Sequence, residues 1–405
     1  MPSPSAWRAW PAALAAAAAL GALAAPPAAA QEPKKVPVAV LSLADDPRYD
    51  ARRMERAYPG HPTGRAIDGV RLAAEDSAIE LDASGLALDV QDMVLPSAAA
   101  LPEALQKLKS AKVHYVIADL PLPALRQLVK DAPAALGTAI VFNTGLDHDS
   151  LRGEGCAPHL LHTYPSRRML ADATAQYLAA RGWKKTLVLH GPRPEDEQQL
   201  QAFNRAAKRF GLNIVKQRPF KLTGDPRERE LANPRLLTSG VEHDTVTVLD
   251  SDGEFARTLP YATQLPRPVT GANGLVATVW HPQWERFGGP NVSRRFAKQT
   301  KRPMTGHDWA AWAAARMIAI TLANAPQASQ ADQLKSLRSG QTTLDGAKGV
   351  PLSFRPWDGQ MRQPIMLSHS DGVAGSAPLD GVLHPVNVLD TLGTDRQEST
   401  CKERA

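Results

Sequence analysis

"VHYVIADLPLPALRQLVKDAPAALGTAIVF", residues 113–142, sets an amphipathic stretch between two short apolar runs. Val113–Ala118 and Thr138–Phe142 read as buried strands, and Pro121–Lys130 as the helix between them. A strand, a crossover helix and a second strand make a parallel pair. The same alternation runs upstream. "VPVAVLSL" (36–43) reads as a strand, Ile67, Val70, Ala74 and Leu81 keep helical spacing, and "LALDV" (86–90) alternates like a strand. Leu101, Leu105 and Leu108 mark another helix, with Pro102 in its first turn.

After Cys156 the pattern begins again. Ser166 is placed to cap a helix reaching Arg181, and "TLVLHG" (186–191) reads as a strand. Leu200, Phe203, Ala207 and Phe210 share one helical face that Gly211 ends, before the strands "NIVKQ" (213–217) and "TVTVLD" (245–250). The last third is less regular. It contains a helix over Asp308–Leu322, a shorter one over Ala331–Arg338, and a hairpin over 350–369 that turns at Asp358-Gly359. The pattern predicts an α/β chain with two Rossmann-like lobes joined by a multi-crossing hinge. Residues 31–162 and 282–348 would form one lobe, and 163–281 and 349–405 the other.

The first thirty residues read as a secretory leader. Arg8 supplies the positive start, Ala12–Ala25 the apolar run, and Ala28 and Ala30 the small-residue cleavage pattern. The expected location is the periplasm, with cleavage near Ala30. An uncleaved anchor is the alternative, but the run is short and rich in alanine. The net charge of +6 is dispersed rather than gathered in a stripe, which argues against nucleic acid. The chain has two cysteines. In an oxidising compartment Cys156 and Cys401 would pair, closing a loop of about 245 residues worth about 5 kcal/mol in the chain-entropy view. Two free thiols are the alternative.

No catalytic motif is present. HExxH, the phosphate-binding GxxxxGK[ST], the GxSxG elbow and GxGxxG after the first strand are all missing. His159 and His162 would face opposite sides of a strand, and "DSDG" (250–253) lacks the further ligands of a calcium loop, so neither a metal nor a catalytic cofactor is expected. Polar loops do follow the strands: "ADDPRYDARR" (44–53), "ADLP" (118–121), "NTGLDHD" (143–149), "HGPRPED" (190–196) and "DSDGEF" (250–255). In open α/β sheets ligands bind beyond the carboxyl ends of strands, so these loops would line a cleft. Trp280 ends an apolar run and can serve that cleft, whereas Trp309 and Trp312, three apart on a helix, read as core.

Several long stretches carry a resemblance. They are "LADDPRYDARR" (43–53), "LRGEGCAPHLLHTYPSRRMLADATAQYL" (151–178), "DGEFARTLPYATQLPRPV" (252–269), "RPMTGHDWAAW" (302–312), "LDGAKGVPLSFRPWDGQMRQPI" (344–365) and "LHPVNVLDTLG" (383–393) with "STC" (399–401). With the order of elements, they resemble the type I periplasmic solute-binding proteins of ABC transporters, the branched-chain amino acid receptor group. More closely, they resemble the subgroup associated with pyrroloquinoline-quinone-dependent alcohol dehydrogenase systems. The resemblance implies a non-enzymatic receptor that closes two lobes on a small ligand, with an inner-membrane ABC permease and a quinoprotein alcohol dehydrogenase as partners. Pyrroloquinoline quinone, a flat tricarboxylate, is the leading ligand. It would need cations and an aromatic surface, which Arg48, Arg52, Arg167, Arg193, His281 and Trp280 can supply. By position, Tyr49, Asp119, Asn143, Thr144, His190 and Asp250 fall in the ligand-facing loops, with Asp119 or Asp250 available to an ammonium. The alternatives are an amino acid, an amide or an alcohol-derived metabolite as ligand, or delivery of cofactor to a dehydrogenase.

Overall fold

A computed structural model describes residues 32–402. The leader and its cleavage point lie outside the described residues. Two parallel sheets organise the chain. The first contains β1 (Lys34–Leu43), β2 (Leu86–Leu95), β3 (Tyr115–Asp119), β4 (Ile140–Asn143) and β5 (Leu160–His162), in the order β2-β1-β3-β4-β5. The second contains β6 (Lys185–His190), β7 (Asn213–Pro219), β8 (Thr245–Leu249) and β9 (Val269–Gly271), in the order β7-β6-β8-β9. All pairs within these two sheets are parallel. Alternate residues of β1 and β3 face opposite ways. Val38, Val40, Tyr115 and Ile117 join the core beneath helices Ile67–Asp76 and Gly306–Asn324. Ala39, Leu41, Val116 and Ala118 join the core beneath helices Leu101–Ser110 and Leu122–Leu136. Burial on both faces is why these strands are apolar throughout.

The local signals act as expected at several ends. Ser166 accepts a hydrogen bond from the Met169 N–H at the start of helix Arg167–Ala180. Helix Pro194–Arg209 stops just before Gly211, whose φ of +69° suits glycine. One helix outruns its expected span. Leu122–Leu136 continues through Pro133, which cannot donate to the Val129 carbonyl one turn earlier. His159 Nε2, 3.0 Å from that carbonyl, takes the missing donor's place. His159 is thus a structural residue of the first unit.

The C-terminal third completes both units. Trp309, Trp312 and Met317 on helix Gly306–Asn324 pack in the first core, as do Leu337 of helix Gln330–Ser339 and Phe296 of helix Gly289–Thr300. The expected hairpin divides. After β10 (Val276–Thr278) and β11 (Leu344–Asp345), β12 (Pro351–Phe354) pairs with β13 (Met361–Arg362) around Gly359. The chain then leaves, and β14 (Ile365–His369) joins β10 and β15 (Gly372–Ala377) against Met169, Ala173 and Tyr177 of the second unit.

The chain passes between the units at Thr163–Ser166, at Val279–Trp280 and at Gln363–Pro364. Buried side-chain amides tie two of these crossings together. Gln363 Nε2 donates to the Thr163 carbonyl at 2.7 Å, and Gln360 Nε2 donates to the carbonyls of His162 and Tyr164, both at 3.2 Å. Arg152 donates to Gln360 Oε1 and to the Tyr164 carbonyl, and Lys348 to Gln363 Oε1 and the Pro364 carbonyl.

Cys156 and Cys401 form a disulfide with their Cα atoms 5.7 Å apart, returning the tail to the first unit. The tail is also held by a buried ion pair, Arg355 to Asp390 at 2.8 Å, by Arg205 on Glu398 at 2.6 Å, and by the Gly393 N–H, which donates to Asp172 at 2.7 Å. Replacing both cysteines with serine is expected to lower stability by about 2–5 kcal/mol. Urea unfolding of the oxidised protein beside Cys156→Ser/Cys401→Ser tests this; equal midpoints would mean that the polar tail contacts alone hold the fold.

Candidate functional site

The carboxyl ends of β1, β4 and β8 open on a cavity of about 310 Å³. Its walls include Arg48 and Arg53 after β1, Gly145–His148 after β4, Arg167 and Thr174 on the next helix, Glu195 and Gln199 on helix Pro194–Arg209, and Ser251 after β8. Tyr164 and His307 close one side, their rings 4.5 Å apart.

Arg48 is the most constrained cation in this wall. Its Nε and Nη2 donate to Asp46, and Nη2 also reaches Asp119 at 3.1 Å. Nη1 is buried and has no hydrogen-bond partner. Burial opposes the charge, but Asp119 and Asp46 outweigh it and hold the guanidinium above its ordinary pKa. A Cβ at residue 145 would stand 2.8 Å from Nη1, so glycine at 145 leaves room for the guanidinium. Arg53 lines the cavity from helix Ala51–Arg56 and has no ion-pair partner among the described residues. Burial and Arg53 lower the His61 pKa to about 4; burial, Arg48 and His61 lower that of His307 to about 3. Both imidazoles are therefore neutral at pH 7, and arginine supplies the positive charge.

The sequence-derived site residues divide by environment. Arg48 and Arg167 line this cavity. Arg167 is committed to Asp147 at 2.8 and 3.1 Å and to Gln198. Tyr49 donates its hydroxyl to Asp119 at 2.6 Å, so Asp119 is engaged by Arg48 and Tyr49 behind the wall. Asn143 holds the loop after its own strand, donating to the Leu146 carbonyl, and Thr144 donates to the Ala118 carbonyl. His190 ends β6, and its carbonyl accepts from the Phe220 N–H. Arg52 is exposed, and Arg193 pairs with Asp252. Trp280 and His281 line a second cavity instead. Trp280 lies nearly parallel to Trp309 at 6.3 Å and donates to Ser293, while His281 Nδ1 accepts from the Gln283 N–H.

Arg53, His61, Tyr164, Glu195 and His307 line the first cavity without having been singled out in the sequence. The stretch "ADDPRYDARR" contains Arg53, but only the turn of helix Ala51–Arg56 decides that it, and not Arg52, faces inward. Tyr164 stands immediately before the Pro165-Ser166 step, and that crossing position was its one available signal.

No protein-family model matches the chain, and no curated protein matches it. Solved structures do. A branched-chain amino acid ABC transporter periplasmic ligand-binding protein from Burkholderia xenovorans aligns with a TM-score of 0.67 at 14% identity, over 91% of this chain and 99% of that one. The fold is that of the type I periplasmic binding proteins. An ABC transporter solute-binding protein from R. palustris in complex with benzoate aligns at 0.63 and 14%, over 91% and 99%. A substrate-binding protein from Desulfitobacterium hafniense in complex with leucine aligns at 0.63 and 14%, over 84% and 99%.

Asp250 sits just past β8, buried, accepting from the Ala256 N–H at 2.8 Å. Burial first, then Asp252 and Asp196, raise its pKa to about 7. In the unfolded chain its pKa would be about 3.9. Between those values the folded state binds more protons than the unfolded one, so this group costs stability as pH rises from about 4 to about 7. Asp250→Asn should flatten that part of the profile. Chemical denaturation at pH 5 and pH 8 checks it; an unchanged slope would show that Asp250 ionises without penalty.

Proposed function

We propose that this chain is the periplasmic solute-binding protein of an ABC transport system linked to quinoprotein alcohol oxidation. Its two α/β units, joined at Thr163–Ser166, Val279–Trp280 and Gln363–Pro364, close as lobes on a small organic anion and present the closed form to an inner-membrane permease; residues 349–362, expected in the second lobe, stay with the first through Leu352, Phe354 and Met361. The carrying observation is the buried, uncommitted Nη1 of Arg48 at the wall of a cavity built from strand ends of both sheets. Two carboxylates pin that arginine, so its free face is set before any ligand arrives, and little ordering cost remains. Arg53 supplies a second cation, and Tyr164 with His307 an aromatic wall. A flat carboxylate fits this lining, and pyrroloquinoline quinone is the leading candidate on the resemblance of the sequence. A quinoprotein alcohol dehydrogenase is the second proposed partner.

A zwitterionic amino acid is the second reading. Glu195 lines the same cavity with no ion-pair partner among the described residues, and would suit an ammonium.

Thermal shift and calorimetry separate the two. A ligand at 100 times its dissociation constant adds about 2.7 kcal/mol to the folded state. Pyrroloquinoline quinone is expected to raise the melting temperature, and leucine to leave it unmoved. Arg48→Met and Arg53→Ala should each weaken quinone binding by about 1.5–3 kcal/mol, the value of a charge-assisted hydrogen bond. A shift with leucine alone, reduced in Glu195→Gln, establishes the amino acid reading.

A further inference from the structure

The Tyr58–Pro62 segment, "YPGHP", partitions the space between the units. Pro59, Gly60 and His61 line the first cavity and also a second one of about 380 Å³, and Tyr164 is common to both walls. The partition is held at its far side. Arg56 pairs with Glu254, and Tyr58 packs over Gly253, where a Cβ would come within 2.9 Å of the ring.

The second cavity has its own chemistry. No aspartate or glutamate lines it. Its basic groups are Arg56, Arg257, His61, His281 and His369. Glu254 occupies Arg56, but the exposed Arg257 side chain has no partner among the described residues. The remaining wall is largely apolar and aromatic, with Tyr58, Tyr164, Val279, Trp280 and Met304. The first cavity, by contrast, includes Asp147 and Glu195.

We propose that the second cavity is a separate binding site for a small aromatic monoanion, an aryl carboxylate. Its ring is enclosed by Tyr58, Tyr164, Trp280 and Met304, and its carboxylate pairs with Arg257 at the mouth. A cation finds no counter-charge there. An aryl carboxylate gains both apolar burial and a charge-assisted hydrogen bond. Apolar enclosure with a few polar anchors is the usual make-up of a small-molecule site. The site stands apart from the ligand of the first cavity, and neither reading needs the other.

Calorimetric titration of the full chain with benzoate tests this. Arg257→Glu, a change at an exposed side chain, should weaken benzoate at least about tenfold, whereas Arg53→Glu in the first cavity should change it less than about twofold. Trp280 fluorescence should report the same binding, so the signal should titrate with the calorimetric constant. The proposal is overturned if millimolar benzoate gives no binding to the unmodified protein or if Arg257→Glu binds it equally well. It is also overturned if Arg53→Glu removes binding, which would place benzoate in the first cavity. Quinone or leucine binding reports on Arg48 and Glu195, so failure of the first-cavity reading shows up independently.

Discussion

Two glutamine side chains, Gln360 and Gln363, hold the arrangement on which the rest of the structure depends. Each is buried, and each spans from one crossing between the units to another through its amide. The carbonyls of Thr163 and Tyr164 lie beyond the end of β5, and His162 meets the 359–361 segment through a single parallel bridge to Gln360. A buried carbonyl without a partner costs about 1–3 kcal/mol, so the amides both satisfy the crossing and fix its spacing. With the crossings side by side, the carboxyl ends of strands from both sheets face the same space. That is where loops of an open α/β sheet can meet a ligand from two sides.

The same economy of buried polar groups shapes the cleft wall. Asp46, Asp119 and Tyr49 surround Arg48 and leave one nitrogen unengaged. Asp119, a carboxylate expected to serve a ligand ammonium, is consumed in positioning a cation. The neighbouring imidazoles are pushed to their neutral forms by burial and by the arginines, so the wall keeps its charge pattern across neutral pH. Arg167, by contrast, spends its donors on Asp147 and Gln198 and serves as a strut between the units.

The C-terminal segment is bound by polar contacts as well as by Leu392, which packs in the core with Met169 and Tyr177. Asp390 takes Arg355 and Arg362, and Asp172 takes Arg205, Arg209 and the Gly393 N–H. These partners lie far apart in sequence. Buried ion pairs gain little over apolar packing, but losing one partner is costly, so they specify where the tail runs more than they add stability. The disulfide at Cys401 then closes the path.

The sequence by itself determined the elements whose signals are local. Two-faced burial of parallel strands shows as unbroken apolar runs, so β1, β3, β4, β6 and β8 were legible. Ser166 and Gly211 mark helix ends through chemistry within a few residues. The Cys156–Cys401 pairing followed from there being two cysteines in a chain whose first thirty residues read as an export leader. Only the tertiary structure decided what depends on distant partners. Helix Leu122–Leu136 survives Pro133 because His159 satisfies Val129. The 350–369 segment splits because Gln363-Pro364 is a crossing and not the arm of a hairpin. The sequence marks the strand-end loops as polar, but which side chain faces the cavity depends on competition for partners. Asp119 turns inward to Arg48 and Tyr49, Arg53 faces in where Arg52 faces out, and Trp280 belongs to a chamber that exists only because residues 58–62 fold across the cleft. Local periodicity carries no record of such choices, since each is settled by charge and packing between residues tens to hundreds of positions apart.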